Sequence, residues 1–306
     1  KKKQANCSIY TMKSLLSILS HVVHGYVGNR ATVFPLQYAG WDVDAINTTN
    51  FSNHPGYGSL SGTASPPEAI QDIILGLKQI LDFNNVYDII LTGYTPNAEV
   101  LQILKSEIEQ AITNSRNKPH WIVDPVLGDN GKLYVKENLI PVYRDIFASG
   151  LVELTTPNQF EFETLSGVKI VDWSTAKDAI YEFRKLYKVK NIVISSVSID
   201  DHLYCVGSSN DRIFYISIEQ IGCSFNGCGD LFTALLADEF YNGEYVLSPQ
   251  MLSKVLYKLH KILEFSYDDI FKRIGQIPTV VKDIRVVAAK EFLTSDYKLD
   301  TDVIYL

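Results

Sequence analysis

The strongest chemical signal in the chain is the run Asn226-Gly227-Cys228-Gly229-Asp230, which precedes an apolar, helix-like stretch. Two glycines let the backbone turn tightly and approach a ligand closely. The unpaired N–H groups and the dipole of the following helix would then form an anion site. A carboxylate beside that site suits a base that takes a proton from a hydroxyl attacking phosphorus. An ordinary acidic residue near a helix N-terminus is the alternative, and the motif alone favours it.

Two other segments carry polar side chains that suit a metal and phosphate site. Asp124 and Asp129 lie five positions apart on a loop after an apolar run. This spacing suits Mg²⁺, which takes one or two carboxylates together with water and phosphate oxygens, although Asp-Pro and Gly-Asp are also common turn formers. Asn158 and Glu161 fall in a first helical turn, where they could contact a phosphate and a metal-bound water. Helix capping explains the same two residues and is the simpler interpretation.

A fourth segment combines Ser20, His21 and His24 with Gly25 and Gly28. Two histidines three positions apart, with no other ligand type nearby, are weak evidence for a metal. The glycines indicate either a loop that closes on a small ligand or a strand-to-helix turn. The chain contains no P-loop, nucleophile elbow or protein-kinase motif set, which argues against those three enzyme classes.

Short apolar runs precede the polar positions, and each run has the length of a buried strand. The runs are 13–20, 42–47, 88–92, 120–124, 151–155 and 191–196. Helical segments lie between them. They are 69–81, which follows a predicted capping box at 65–68, a segment starting at Thr95-Pro96, and the segments 174–187 and 249–265.

This alternation predicts an α/β fold with a mostly parallel sheet and helices on both faces. Ligands then bind beyond the carboxyl ends of the strands, where the polar residues stand. Segments 202–207 and 211–218 alternate without an intervening helix and predict an antiparallel hairpin at the sheet edge. No repeat or break in composition divides the chain, so we expect one domain over residues 1–306, with 1–12 as a flexible tail.

Composition excludes several classes of protein. The 306 residues include 28 basic and 35 acidic side chains, a net charge of −7, and 46% are apolar. This balance is that of a globular protein, and the acidic surplus argues against a nucleic-acid partner. No apolar run approaches the roughly 20 residues of a membrane-spanning helix. Four cysteines without a CxxC pair indicate free thiols in the cytoplasm rather than a disulfide framework or zinc site.

As an ordered set, the motifs resemble those of pyridoxal kinases, the vitamin B6 branch of the ribokinase-like enzymes. The matching segments are 21–31, which contains His-Gly-Tyr-Val-Gly-Asn, 34–37, 51–54 (Phe-Ser-Asn-His), 91–94, 124–129, 156–161 and 229–232. The resemblance covers roughly residues 14 to 240. It implies a ribokinase-like fold and ATP-dependent phosphorylation of the 5′-hydroxyl of pyridoxal, pyridoxine or pyridoxamine. It also implies Mg²⁺ or another divalent cation, often K⁺, and a cytoplasmic homodimer, with the nucleus left open as a second location.

The resemblance assigns roles at the reacting end of the site. Asp230 would be the base for the substrate hydroxyl, and the backbone of Gly227, Cys228 and Gly229 would hold the charge of the transferring phosphoryl group. The pyridoxal pocket would be lined by Ser20, His54 and Tyr94, with Ser20 bonding the pyridine ring.

Further positions would serve the metal and ATP. The resemblance implies that Mg²⁺ is organised, directly or through water, by Asp124, Asp129 and Glu161. The residues that would lie along ATP are Asp124, Thr156, Asn158, Ser195, Ser196, Asn226, Gly227 and Cys228.

Three positions depart from the family pattern. Cys228 replaces a usual Thr, which removes a hydroxyl that could bond a phosphate, since a thiol is a poor donor. Pro55 stands where a Thr commonly follows, and Leu19 replaces a usual Gln. These departures keep two alternatives open. One is a weak or inactive paralogue that binds a B6 vitamer or nucleotide as a regulatory protein. The other is a kinase for a different small alcohol, such as a hydroxymethylpyrimidine or a sugar.

Overall fold

A computed structural model describes residues 12–210, 212–295 and 303–306. The described residues form one ten-stranded sheet and two small two-stranded sheets. The strands are β1 (Lys13–Val22), β2 (Trp41–Phe51), β3 (Gly62–Ala64), β4 (Ile89–Thr92), β5 (His120–Val123), β6 (Gly128–Asp129), β7 (Lys132–Leu133), β8 (Val152–Thr155), β9 (Asn191–Ile199), β10 (His202–Ser209), β11 (Arg212–Ser217), β12 (Ser224–Phe225), β13 (Val280–Val281) and β14 (Val303–Tyr305). The two small sheets are β6-β7 and β12-β13. The predicted tail lies outside the described residues, apart from the exposed Met12.

Helices connect most of these strands. They are α1 (Asn29–Tyr38), α2 (Pro67–Ile80), α3 (Ala98–Asn114), α4 (Leu139–Ala148), α5 (Gln159–Ser166), α6 (Trp173–Leu186), α7 (Cys228–Asn242) and α8 (Pro249–Ile274). Short 3-10 turns lie at Pro55–Tyr57 and Lys290–Leu293. Within the described ranges, no helix is long and apolar enough to cross a membrane.

The sheet confirms the predicted α/β architecture. Its strand order is β14-β11-β10-β9-β8-β5-β4-β1-β2-β3. The predicted strand runs all occur in it. Along the part of the sheet ordered β9-β8-β5-β4-β1-β2, each strand pairs in parallel with its neighbour. Strands β10 and β11 form the predicted antiparallel hairpin. The hairpin is next to the edge rather than at it, because β14 pairs with the outer side of β11.

Burial on both faces explains why the parallel strands are continuous apolar runs. Successive side chains of a strand point to opposite faces of the sheet. In β1, Leu16 and Ile18 accordingly pack into the core on one face, while Leu15 and Leu19 pack into the core on the other. The helices cover both cores, so the carboxyl ends of the strands are the part of the sheet left open for a ligand.

Several helix boundaries differ from the sequence expectation. The capping box predicted at 65–68 does not form, because the Ser65 hydroxyl donates to the carbonyl of Asn47 at 2.7 Å and Pro66 is the N-cap. Helix α3 starts later than predicted, behind the Asn97 cap. Helix α8 continues to Ile274, well past the predicted end at 265. Helices α1 and α4 were not predicted, since their local apolar periodicity is short.

Candidate active site

Every site residue predicted from the sequence lines one cavity of about 1480 Å³. The cavity lies at the carboxyl ends of the parallel strands, where Ser20 belongs to β1, Asp124 follows β5 and Thr156 follows β8. The opposite wall is the loop before α7 together with the start of that helix. Sites for one small ligand usually measure roughly 300–1,000 Å³. This cavity therefore has room for two ligands side by side.

The loop before α7 depends on glycine at position 227. Gly227 is the N-cap of α7, with φ of 87°, a left-handed conformation that other residues rarely adopt. A Cβ atom there would lie 1.9 Å from the carbonyl oxygen of Tyr26. No side chain caps this helix terminus. The N–H groups of the first turn are therefore free to bind an anion in the cavity.

Asp230 stands in the first turn of α7 and faces the same cavity. Part of the side chain remains accessible, but the surrounding protein removes water from the carboxyl group and raises its pKa to about 6. The backbone N–H of Gly28 donates to this carboxyl group and opposes the rise. Gly28 comes this close because its α-carbon packs on Ser20, whose carbonyl oxygen would lie 2.1 Å from an added Cβ. Asp230 can therefore accept a proton near neutral pH.

Asp124 is a second buried carboxylate in the cavity wall, only 5% exposed. Burial raises its pKa well above the usual value, and the charges of Glu161 and Asp230 raise it further. A hydrogen bond from the Thr233 hydroxyl, at 3.4 Å, partly offsets this effect. Like charges that share a buried site are costly unless a cation neutralises them. The donor chemistry and the electrostatics around Asp124 therefore suit a divalent cation.

Glu161 has the helix-capping role that its sequence pattern by itself favoured. Its Oε1 accepts the N–H groups of Leu127 and Gly128 at 2.9 and 3.3 Å, and its Oε2 accepts that of Asn158 at 2.9 Å. The Asn158 side chain in turn accepts from the Glu161 N–H, which completes a capping box on α5. Burial raises the Glu161 pKa to about 7 despite the backbone donors. Most of its lone pairs are thus already occupied.

The predicted metal ligands do not converge on a ready-made metal site. In the described parts of the chain, no three His, Cys, Asp or Glu side chains are grouped so as to hold an ion. Asp129 lies on the β6–β7 hairpin and accepts hydrogen bonds from the backbone and side chain of its neighbour Asn130, at 2.7 and 3.0 Å. A cation would therefore be held mainly by Asp124, with phosphate oxygens and water completing its coordination.

His54 uses both ring nitrogens within the protein. Its Nδ1 accepts the backbone N–H of Gly56 at 3.2 Å, so Nε2 carries the hydrogen and donates to the carbonyl of Lys282 at 2.9 Å. The ring can therefore offer a face to a ligand, but no free donor or acceptor. Tyr94 also lines this end of the cavity, and burial raises the pKa of its hydroxyl.

The three departures from the family pattern have different consequences. Leu19 is buried in the core beneath Gly93 and does not line the cavity. Pro55 does line it, at the start of the turn Pro55–Tyr57. Burial, followed by the charge of Asp230, raises the pKa of the Cys228 thiol to about 12. The thiol therefore stays protonated and is a weak donor rather than a nucleophile.

Comparison with known proteins places the chain in a family. A Saccharomyces cerevisiae relative, named provisionally as a pyridoxal kinase, is 40% identical over 94% of this chain and 95% of its own length. The pyridoxal kinase of Arabidopsis thaliana is 37% identical over 90% of each chain. This chain belongs to the pyridoxal kinase family. The family model for phosphomethylpyrimidine kinase also matches residues 77–248.

A solved pyridoxal kinase has the same fold. The Leishmania donovani enzyme, in complex with ADP and pyridoxine, superposes with a TM-score of 0.84 at 30% identity, and the match covers 96% of this chain and 99% of that one. Pyridoxal kinases are thus similar to this chain well beyond the segment 14–240 in which the motifs were found. The additional similarity includes α8 and the segment after it.

Sequence reasoning missed the apolar end of the cavity in this pyridoxal kinase family member. That end is lined from β11, β12, α7 and α8 by Ile216, Ile218, Phe225, Phe232, Leu256, Tyr257, Leu259 and Leu263. The spacing of the α8 positions was visible as an apolar stripe. Periodicity alone does not reveal whether such a stripe faces a core or a cavity.

Proposed function

We propose that this protein transfers the γ-phosphoryl group of ATP to the 5′-hydroxyl of pyridoxal, pyridoxine or pyridoxamine. The observation that carries the proposal is the placement of Asp230, with its raised pKa, at the uncapped N-terminus of α7. Ser20, His54 and Tyr94 line the same cavity. The similarity to a solved enzyme bound to ADP and pyridoxine supports both ligands.

In this reaction Asp230 removes the hydroxyl proton as the alcohol oxygen attacks the γ-phosphorus. A new O–P bond forms, the bond to the bridging oxygen breaks, and ADP leaves with that electron pair. The first N–H groups of α7 stabilise the charge on the transferring group. The apolar end of the cavity would receive the flat adenine ring. Transfer depends mainly on positioning and charge neutralisation, which the rigid strand ends and helix terminus supply.

We propose Mg²⁺ as the accompanying ion, held by Asp124 and the phosphate oxygens. When bound, Mg²⁺ would neutralise phosphate charge. The Thr233 hydroxyl donates to the Asp124 carboxylate and orients it, and the same hydroxyl contacts that of Thr156 at 3.0 Å. Glu161 holds the 127–128 loop and Asn158 in place through its carboxylate oxygens. The homodimer implied by the resemblance is also proposed, and sedimentation velocity of the purified protein tests it.

An ATP-coupled assay on a panel of alcohols tests the proposed activity. We expect turnover with pyridoxal, pyridoxine or pyridoxamine to exceed turnover with hydroxymethylpyrimidine. The match to the phosphomethylpyrimidine kinase model makes that compound the second candidate. Preference for it would replace the proposed substrate. Tight binding of pyridoxal by calorimetry without any turnover would favour an inactive, ligand-binding relative.

The pH profile should show the titration of Asp230. Burial raises its pKa to about 6, and only the deprotonated form can accept the substrate proton. We therefore expect kcat/KM for pyridoxal to rise about tenfold per pH unit up to about pH 6 and then to level off. Stopped-flow or coupled assays between pH 5 and 8 measure this. A flat profile through pH 6 would contradict the role of Asp230.

Restoring a hydroxyl in residues 226–229, the proposed phosphate-binding loop, should strengthen ATP binding. Cys228→Thr replaces a weak thiol donor, which faces the cavity, by a hydroxyl. We expect the KM for ATP to fall about fivefold, the effect of one neutral hydrogen bond, with the KM for pyridoxal unchanged. Cys228→Val is the control, since it has the shape of Thr without a donor. An equal effect of both variants would show that shape, not the hydroxyl, is responsible.

A further inference from the structure

Residues 279–285, here called the clamp segment, follow α8 and contact the phosphate-binding loop. The N–H of Ser224 donates to the carbonyl of Thr279 at 3.0 Å, and that of Asn226 donates to the carbonyl of Val281 at 3.3 Å. Strand β13 thereby pairs with β12, immediately before Gly227. The side chain of Ile284 lies beneath Gly227, within 3.4 Å of where its Cβ would be.

The same segment also contacts the 54–57 turn. This turn lies at the vitamin end of the cavity, the end lined by Ser20, His54 and Tyr94 where the vitamin would bind. The carbonyl of Lys282 accepts the His54 Nε2 hydrogen, and the Lys282 ammonium lies 4.8 Å from the centre of the Tyr57 ring. The Tyr57 hydroxyl donates to Oδ2 of Asp283. One short stretch of backbone therefore joins the loop that would bind phosphate to the turn that would enclose the vitamin.

Helix α8 anchors the clamp segment. The backbone N–H of Arg285 donates to the Ser266 hydroxyl at 2.8 Å. Its guanidinium donates to Asp269 at 2.8 Å. With both ends of the stretch held, the fold itself sets the position of Asp283.

Asp283 is a buried carboxylate that the phosphoryl-transfer mechanism does not use. It is 8% exposed and does not line the cavity. Burial acts to raise its pKa, but the hydrogen bond from the Tyr57 hydroxyl and the nearby imidazoles of His54 and His24 keep that pKa below the usual value. Its Oδ1 has no hydrogen bond within normal geometry and lies 3.5 Å from His54 Nε2.

The partner of Asp283 remains a donor at neutral pH. Burial, together with the bond to Asp283, raises the pKa of Tyr57 to about 12. Gly25 presses on the other side of the carboxylate, since a Cβ there would lie 2.5 Å from Oδ1. Asp283 is thus enclosed by the 23–28 loop and the 54–57 turn, both of which border the vitamin end.

We propose that Asp283 is a positioning residue that holds the 54–57 turn, through Tyr57, in register with the phosphate-binding loop. This inference rests on the proposed function, because its kinetic consequence concerns the binding of the vitamin. Loss of the contact should free the turn that carries His54 and Pro55. The vitamin would then bind more weakly, while ATP, which would contact other strand ends, would bind as before.

Two variants test the contact from its two sides. Tyr57→Phe removes only the hydroxyl, and Asp283→Ala removes the acceptor. Tyr87→Phe is the matched control, because Tyr87 donates to Asp44 at 2.7 Å in the same kind of Tyr–Asp pair, just before β4 and outside the cavity. We expect both test variants to raise the KM for pyridoxal about tenfold, the effect of losing one bond to a charged group. The KM for ATP should stay near the wild-type value, and the control should change neither.

Hydrogen exchange of the backbone amides of His54, Gly56, Tyr57 and Gly58 gives a readout that does not require turnover. Exchange there should be faster in Tyr57→Phe and Asp283→Ala than in wild type and in Tyr87→Phe. Wild-type exchange rates in both test variants would overturn the proposal, as would a parallel rise in both KM values. If the wild-type protein phosphorylates no B6 vitamer, the proposed function fails by itself, and the exchange measurement still decides whether Asp283 holds the turn.

Discussion

Asp230→Asn is expected to lower kcat for pyridoxal phosphorylation by about 10³-fold, the usual contribution of a general base. The substitution keeps the shape of the side chain and removes its ability to take the substrate proton. Binding of ATP should persist, because the N–H groups of α7 and the apolar end of the cavity are unchanged. Coupled steady-state kinetics measure kcat, and calorimetry with a non-hydrolysable ATP analogue measures binding.

The stability of the same variant provides a second, opposite expectation. The folded-state pKa of Asp230 is raised to about 6, so its proton favours folding at low pH and this stabilisation is lost as the pH rises through 6. Above that pH the buried charge of Asp230 lowers the stability of the fold, and it also repels the buried Asp124 carboxylate. Asp230→Asn removes that cost, and its Tm at pH 7.5 should not fall below that of wild type.

Asp238→Asn is the matched control on the same helix. Asp238 accepts hydrogen bonds from Lys13 and Trp41, each at 2.9 Å, and does not line the cavity. Its substitution should lower Tm while leaving kcat unchanged. A kcat for Asp230→Asn close to that of this control would show that Asp230 is not the base.

Gly227→Ala is expected to have the second-largest effect, and to act through the backbone. A left-handed φ of 87° together with a Cβ only 1.9 Å from the Tyr26 carbonyl makes the native loop inaccessible to alanine. The combined strain and steric overlap should cost about 3 kcal/mol of unfolding free energy. The loop must move to relieve it, so kcat should fall about 100-fold as the N–H groups leave the phosphoryl position.

Gly229→Ala separates backbone strain from steric obstruction of the ligand. No atom lies within 4 Å of a Cβ at Gly229, which is already in the helix. Chemical denaturation should therefore show unchanged or slightly higher stability, since Ala favours helix over Gly. The methyl group would project into open space beside the phosphate site and raise only the KM for ATP. Equal loss of stability in the two variants would contradict the assigned role of Gly227.

Local pattern was sufficient to predict the sheet and many of the residues around the cavity. A strand buried on both faces must be a short apolar run, and polar residues directly after parallel strands must meet at one edge. This pattern predicts that Ser20, Asp124 and Thr156 lie together. The glycine pattern at 227–229 was equally informative, because a left-handed residue in front of a helix favours glycine over other residue types.

Other features depend on contacts between segments that are far apart in the chain. Glu161 holds the 127–128 loop, and His54 is bonded to Lys282. Both contacts join residues that are too far apart in the chain for a local pattern to reveal them. The apolar end of the cavity was hidden for a related reason, since an apolar stripe on α8 has the same pattern whether it faces a core or a ligand.

Residue type and spacing therefore predicted the fold and a possible anion site before α7, because both follow from local sequence patterns, whereas the resemblance to pyridoxal kinases implied Asp230 as the base. The partners of individual polar groups required the folded chain. Asp283 illustrates the difference: in the sequence it is one acidic residue beyond the motifs, whereas in the fold it is a buried carboxylate between two loops of the site. Burial and hydrogen bonding are properties of the assembled surroundings, and these surroundings come from residues more than 200 positions away in the chain.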